Sequence, residues 1–499
     1  MNQKTIYHRT PGHLVAFLLA GTILNCAACL AQENSPAQVR EIAARREIFV
    51  DYYLIDKMEN TGLKLHHPQP AGVAIKFDKP WEGIYSGYTT VIKDGDTYRL
   101  YYRGNPGVEV DGSEVEVTCC AESKDGINWT RPNLGIYEVM GTTNNNIVLA
   151  HMAPLSHNFS PFLDKRPGVS ADERYKAISG TAGTGLVGFV SSDGLHWKKV
   201  REQAVFKQSG WVFDSQNLAF WSQAESCYVL YYRIVPGGIR SIARTTSTDF
   251  IHWTEPTPMT YDGNPPTKQD QLYTSQTAPY FRAPHIYVSL AARFMAGRKV
   301  LTPRQVKQIS VMEKSWLGND CSEGVLMTSR AGTVQYDRTF MEGFIRPGTD
   351  MRNWGSRGNY PTLGIVQTGP NEMSMYVRRH NGQPTHYVER LTMRLDGFIS
   401  VNAPYKGGEM VTKPLTFTGD KLEINYATGA SGSVRVEIQD ESGQAIAGYT
   451  LKDCKEIIGD QIERLVTWKN DSDLGKLAGK SVRLRFVMKD ADLYSLRFK

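Results

Sequence analysis

A short turn recurs along the chain, and its recurrence restricts the fold more than any other feature. Ser247-Thr248-Asp249-Phe250-Ile251-His252-Trp253 has relatives at Ser123-Lys124-Asp125-Gly126-Ile127-Asn128-Trp129 and at Ser191-Ser192-Asp193-Gly194-Leu195-His196-Trp197. The Trp numbers differ by 197 − 129 = 68 and 253 − 197 = 56 residues. Ser and Asp side chains bond nearby backbone N–H groups, glycine supplies a permissive turn conformation, and the Trp is free to wedge between neighbouring sheets. A strand repeats too: Tyr98-Arg99-Leu100-Tyr101-Tyr102-Arg103 has the pattern of Tyr228 to Arg233. The stretch Trp211 to Pro256 holds one whole unit, three strands and two turns, able to form a twisted meander. Strand units repeated at this spacing point to the blades of a propeller.

Order and spacing extend the series to five sheets. The first runs through Tyr85–Ile92, Tyr98–Arg103 and Val117–Ser123, and the second through Asn158–Leu163, Tyr175–Ser179 and Leu186–Ser191. The third is the stretch from Trp211. The fourth is Thr277–Phe281, Ile286–Ala292 and Gly324–Ser329, interrupted by a helical segment near Gln305–Trp316; the fifth is Tyr360–Val366, Met373–Arg378 and Val388–Leu395. Residues 32–46 read as a polar linker with a short helix. Ile48–Ile55 reads as the strand that closes the ring, which removes unpaired edges. After Asn402 the texture changes to strict alternation, as in Val482, Leu484, Phe486 and Met488 on one face against Arg483 and Arg485 on the other. That is the period of a half-buried antiparallel strand. The expected class is therefore all-β: a five-bladed β-propeller over 47–402, followed by a β-sandwich domain over 403–499.

Compartment and partners follow from the ends and the charge. Lys4 and Arg9 precede an apolar run, Leu14–Leu24, that is too short to anchor in a bilayer and well placed for a signal peptide over 1–31. The mature chain is expected to be periplasmic or secreted, without a membrane span, a lipoprotein through Cys26 or Cys29 being the rival. Its charge, 6 − 2 = +4, is mild and carries no Lys/Arg block, which argues against a nucleic-acid partner. The five remaining cysteines are widely spaced, without C-x-x-C. They give neither a zinc site nor a disulfide framework, and no cofactor motif is present. Nothing in the sequence sets the oligomeric state.

In a propeller, functional side chains gather where the innermost strands begin. Those positions hold Trp81 and Glu82, Asn158, Asp214, Gln216 and Asn217, Gln276, and Arg357 and Asn359, with Glu323, Glu342 and Arg346 nearby. An acidic, amide-rich and aromatic set suits a sugar. Hydrolysis of a glycosidic bond needs two carboxyl groups, an acid of raised pKa and a base or nucleophile. Asp214, Glu82 and Glu323 are the expected catalytic carboxylates, and Trp81, Asn158, Gln216, Asn217, Gln276, Arg346, Arg357 and Asn359 the expected substrate-binding residues. Glu342 competes with Glu323 as the acid, and Asp51 is a further candidate. An Asx turn is the plain alternative for Asp214. Convergence of two of the arginines 103, 233, 282, 346 and 357 would favour a uronic or sulfated sugar.

With its Y-x-L-Y-Y-R strands, S-x-D-G-x-x-W turns and Asp214, the chain resembles the five-bladed propeller glycoside hydrolases, the superfamily holding families 32 and 43. The resemblance covers about residues 47 to 402. It implies cleavage of furanosides in plant or algal poly- or oligosaccharides by three carboxylates at the channel mouth. The Asn-Asp-Pro, Arg-Asp-Pro and Glu-Cys signatures of family 32 are absent, so its catalytic residues do not transfer by motif. An exported glycoside hydrolase and a propeller that binds carbohydrate without cutting it are the two readings.

Overall fold

The computed structural model describes residues 39–107, 111–311, 316–469 and 471–499; the expected signal segment lies outside them. Five antiparallel sheets follow one another in chain order, and their innermost strands neighbour each other around a ring. The first blade is Gly87–Asp94, Thr97–Gly104, Val117–Ser123 and Ile147–Leu149; the second is Ser160–Leu163, Tyr175–Thr181, Gly185–Ser191 and Lys198–Lys199. The third is Leu218–Ser222, Cys227–Ile234, Ser241–Ser247 and Thr257–Pro258. In the fourth the innermost strand is broken, Asp270–Thr274 and Thr277–Tyr280 both pairing with Ala283–Met295, which pairs in turn with Cys321–Arg330. The fifth is Val366–Gln367, Glu372–Arg379 and Tyr387–Arg394. The expected five-bladed, all-β architecture is therefore present.

The ring closes differently from expectation. The outer strand of the fifth blade is Gln69–Lys76, paired with Tyr387–Arg394. Ile48–Ile55 lies instead between two cores: Ile48 and Val50 pack with the fourth and fifth blades, Phe49 and Leu54 with the sandwich. A segment apolar on both faces fits between two cores, whereas an outer blade strand is half exposed, as Gln69–Lys76 is. The stretch read as a linker also joins the sandwich, because Arg40–Ala43 is a strand paired with Leu415–Phe417 and Ile42 is fully buried. The sandwich is thus built from both sides of the propeller. Arg46–Ile48, Ile55–Glu59 and Gly62–Leu65 share a sheet with Ile399–Ala403, Gly408–Thr412 and the long strands Leu422–Gln439 and Arg483–Phe498. In the segment read as helical near Gln305–Trp316 the helix is Pro303–Ile309, started by Thr302 and Gln305 in a capping box, and residues 312–315 lie outside the described ones. The five cysteines are free, and four of them are buried.

The repeated turns show why they recur. In the first, Ser123 Oγ donates to Asp125 Oδ1 at 2.8 Å, and that oxygen accepts from the backbone N–H groups of Ile127 and Asn128 at 2.7 and 2.8 Å. The turns at Asp193 and Asp249 repeat the pattern. Tyr101 of the first blade donates to the Gly194 carbonyl in the turn of the second, so the turn also joins blades. The Asn128 backbone N–H, then those of Ile127 and the Ser123 hydroxyl, hold the Asp125 carboxyl well below the usual carboxylate range. A depressed folded pKa gives stability that is present above the unfolded value and lost as pH falls through the folded one. Asp125→Ala is expected to lower the melting temperature at neutral pH by at most about 2–4 °C, the shift of ~1 kcal/mol in a large domain. Thermal melts across pH check it: the gap from the parent should close toward strongly acid pH.

Candidate active site

At one end of the ring a pocket opens among the first, fourth and fifth blades, lined by Tyr85, Tyr88, Arg103, Tyr273, Trp316, Arg357, Tyr360 and Arg378, with Asn105, Asp111 and Asn381. Two parts of the sequence build it. The second strands of the first, third and fifth blades carry Arg103, Arg233 and Arg378 as their next-to-last residues, so the repeated strand carries an arginine toward the channel mouth in three blades. The fourth blade's insertion brings in Trp316, whose ring stacks 5.6 Å from that of Tyr85. Backbone strain occurs here as well: Tyr88, in the innermost strand of the first blade, Gln276, just before that of the fourth, and Phe213, Arg357 and Asn359, in the approaches to those of the third and fifth, have φ between 45° and 62°. Left-handed residues other than glycine persist where the surroundings force them, and they concentrate at functional sites.

Below the mouth the channel is closed by polar contacts. Gln276 Nε2 donates to Gln216 Oε1 at 2.8 Å and to the Pro361 carbonyl, Gln216 Nε2 donates to Thr90 Oγ1 at 2.8 Å, and the Thr89 and Thr362 hydroxyls meet at 2.6 Å. A second cavity also opens among the innermost strands, lined by Thr90, Phe162, Ala219, Thr277 and Leu363.

Three aspartates from different parts of the ring lie in the pocket lining or next to it. Asp111 lines the pocket, 62% exposed and 3.6 Å from Arg103 Nη1. Asp214, 46% exposed, accepts from Arg233 Nη2 at 2.6 Å, and that guanidinium lies 4.7 Å over the Tyr273 ring. Its partner Arg233 over the Tyr273 ring sets Asp214 beside the pocket wall; burial, then Tyr273 and the Asp214 carboxylate, push the Tyr88 hydroxyl up. Asp320, at the end of the insertion, accepts from the Ser356 hydroxyl. Burial raises the Asp320 carboxyl above its ordinary value, against Ser356, Arg357 and Arg240, which pull it down.

Behind Arg103 sits a buried cluster. Glu116, fully buried, lies 2.9 Å from His157 Nδ1 and accepts from Asn105 Nδ2 at 3.0 Å. Ligand atoms of Asp111, Glu116 and His157 fall within 4.8 Å of one another, a spacing that could hold a cation. Arg103 Nη1, however, stands 2.9 Å from His157 Nδ1 and 3.4 Å from Glu116, so a guanidinium already supplies the positive charge there.

Of the residues expected from sequence, Arg357 lines the pocket and Asp214 flanks it. Glu82 does neither. Its fully buried carboxylate accepts from Arg131 Nε at 2.9 Å, the Tyr102 hydroxyl at 2.6 Å and the Lys79 N–H at 3.0 Å, an ion pair inside the first blade. Glu323 is bonded by Arg293 on the fourth blade, and its carboxylate crowds Gly343. Glu342 and Arg346 are exposed, Arg346 in a separate cleft with Asp350 and Tyr387. Asp51 is held by Arg330 at 2.7 and 3.0 Å. Trp81 is buried and donates to Asn146, and Gln216 and Gln276 belong to the layer closing the channel. The buried amides Asn158, Asn217 and Asn359 donate to backbone carbonyls of Phe213, Ser215, Ser322 and Asn353. Sequence reasoning missed Asp111, Asp320, Trp316 and Arg378. The end of the Y-x-L-Y-Y-R repeat was the available signal for the channel arginines.

No helix of the described residues is long and apolar enough to cross a membrane. No protein-family model and no curated protein matches the chain. Among solved structures it is similar to a family 43 arabinoxylan arabinofuranohydrolase from Bacillus subtilis, at 13% identity over 84% of this chain and 96% of that one, TM-score 0.39. It is also similar to an N-acetylgalactosamine deacetylase from F. plautii, at 12% identity over 67% and 96%, TM-score 0.43. A third is a β-1,2-mannobiose phosphorylase from Listeria innocua, at 11% identity over 62% and 90%, TM-score 0.40.

Proposed function

We propose that the chain is an exported glycoside hydrolase acting on a plant or algal poly- or oligosaccharide, with the sugar held in the pocket between the first, fourth and fifth blades. One observation carries this reading: a pocket walled by aromatic rings is lined by Asp111 and has two more carboxylates next to its lining, Asp214 on Arg233 over the Tyr273 ring and Asp320 on Ser356 beside Arg357. Aromatic faces suit the C–H surface of a sugar, and the carboxylates supply the two roles that glycoside cleavage needs. Asp320, kept protonated more easily by its burial, is suited to donate a proton to the leaving oxygen. Asp214, bonded to Arg233 at 2.6 Å and 46% exposed, is suited to activate water or attack the anomeric carbon. Asp111 is the third carboxylate, and Asp214 alone keeps the role given it from sequence. Export rests on the segment from Lys4 to Ala31.

The rival, a propeller that binds carbohydrate without cutting it, is favoured by the 2.6 Å contact that already engages Asp214 with Arg233. Incubation of the purified chain with a panel of neutral and anionic oligosaccharides, with product analysis, separates the two. Release of a sugar from at least one member is expected. A panel that is bound but never cut, with equal binding by Asp214→Asn, would leave the lectin-like reading standing.

A further inference from the structure

Two of the pocket's arginines have no carboxylate within ion-pair distance among the described residues, although Asp320 lies near Arg357. Arg103 has Glu116 and Asp111, and Arg233 has Asp214. Arg357 and Arg378, which also line the pocket, form no ion pair among the described residues. The Arg357 guanidinium lies 4.8 Å over the Trp316 ring and 5.9 Å from that of Tyr273, with its backbone in the left-handed region. Arg378, 6% exposed, donates to the Ser86 carbonyl at 2.9 Å and to Asn381 Oδ1 at 3.3 Å and lies over Tyr360. A buried charge without a counter-ion is costly. Rings that fix the plane of a guanidinium leave its paired N–H donors ready for an oxyanion, the geometry in which arginine outperforms lysine.

We propose that Arg357, together with Arg378, receives an anionic substituent, a carboxylate or a sulfate ester, on the sugar that occupies the pocket. This rests on the reading of the pocket as a sugar site. The substrate class narrows accordingly to acidic polysaccharides, those carrying uronic acids or sulfate groups. A planar carboxylate can take two parallel N–H···O bonds from one guanidinium, and a sulfate can bridge two guanidinium groups.

The test is calorimetric titration of the full chain with trigalacturonate, with its carboxyl-reduced neutral trisaccharide, and with that neutral trisaccharide after sulfation, products being analysed afterwards. At least one anionic probe is expected to bind about tenfold or more tightly than the neutral one, in line with a charge-assisted pair of hydrogen bonds. The stronger of the two tells uronate from sulfate. Arg357→Gln should bring the ratio close to one, and Arg357→Lys should restore only part of it. Because a variant can fail to fold, the parent alone gives a second readout: added salt should weaken the anionic probe and leave the neutral one unchanged. The proposal is overturned if neither anionic probe binds better than the neutral one, or if the preference survives unchanged in folded Arg357→Gln and Arg378→Gln. Selective binding without cleavage would sustain it and sink the hydrolase; cleavage of neutral probes without anionic preference would do the reverse.

Discussion

Asp320→Asn is expected to lower kcat/KM by about 10²–10⁴, the contribution of a positioned general acid. An amide keeps the shape of the side chain and can still accept from Ser356, but it has no proton to give. The pH profile identifies the role. Because burial raises the Asp320 carboxyl, the parent's activity should fall on the alkaline side as pH passes that raised value, and this limb should be missing from the variant. The stability effect has the opposite sign. A carboxyl whose folded pKa lies above its unfolded one stabilises the fold only while protonated, and the contribution is lost as pH rises through the folded value. At neutral pH, Asp320→Asn should therefore leave the melting temperature unchanged or slightly raised. Rates across pH together with thermal melts check both, and a variant that melts early while keeping the alkaline limb would mark Asp320 as structural.

Asp396→Ala is expected to cost about 3–5 kcal/mol, the usual price of stripping one partner from a buried ion pair. Its fully buried carboxylate accepts from the Tyr280 hydroxyl at 2.7 Å and Arg282 Nε at 3.0 Å in the fourth blade. From the sandwich side it accepts from Ser495 Oγ at 2.7 Å and Asn425 Nδ2 at 3.1 Å, with Arg46 at 3.6 Å. One side chain thus satisfies donors on both sides of the junction, and its loss leaves Arg46 and Arg282 sharing only the half-exposed Glu463, with Glu423 still on Arg46. Denaturant unfolding followed by tryptophan fluorescence and circular dichroism measures the cost. It should also separate two transitions where the parent has one, since the link that couples the two cores is the one removed.

Residues whose work is local were legible in the sequence. The bonds that shape the turn from Ser123 to Trp129 lie within it, and the pairing of the strand Tyr98–Arg103 lies within one blade, so their repetition announced blades, and order and spacing extended the count to five. What was hidden depends on partners far along the chain. Glu82 stands where a catalytic residue would, yet Arg131, 49 residues on, claims it inside the blade. Asn158, Asn217 and Asn359 look like sugar ligands in a one-dimensional reading. In the fold the bends between blades leave backbone carbonyls facing inward, and these amides satisfy them. Asp320 and Trp316 come from an insertion outside the repeat, so no periodicity pointed to them. The closing strand was misplaced because an apolar run resembles a central strand whether it is bordered by one core or by two.

The way the sandwich is assembled from both sides of the ring has a mechanical consequence. The chain enters the sandwich through Arg40–Ala43, paired in a two-stranded sheet with Leu415–Phe417, then through Arg46–Ile48, and finishes in Arg483–Phe498, with Arg46–Ile48 zipped antiparallel to Ser495–Arg497. A tension applied between residue 40 and residue 499 is borne first by these few strand pairs, while the blades, threaded between the two halves of the clasp, carry none of it until the clasp yields. Single-molecule stretching should therefore show an early rupture at the sandwich followed by the long release of the propeller. A pull on the ends would reach the sugar pocket last.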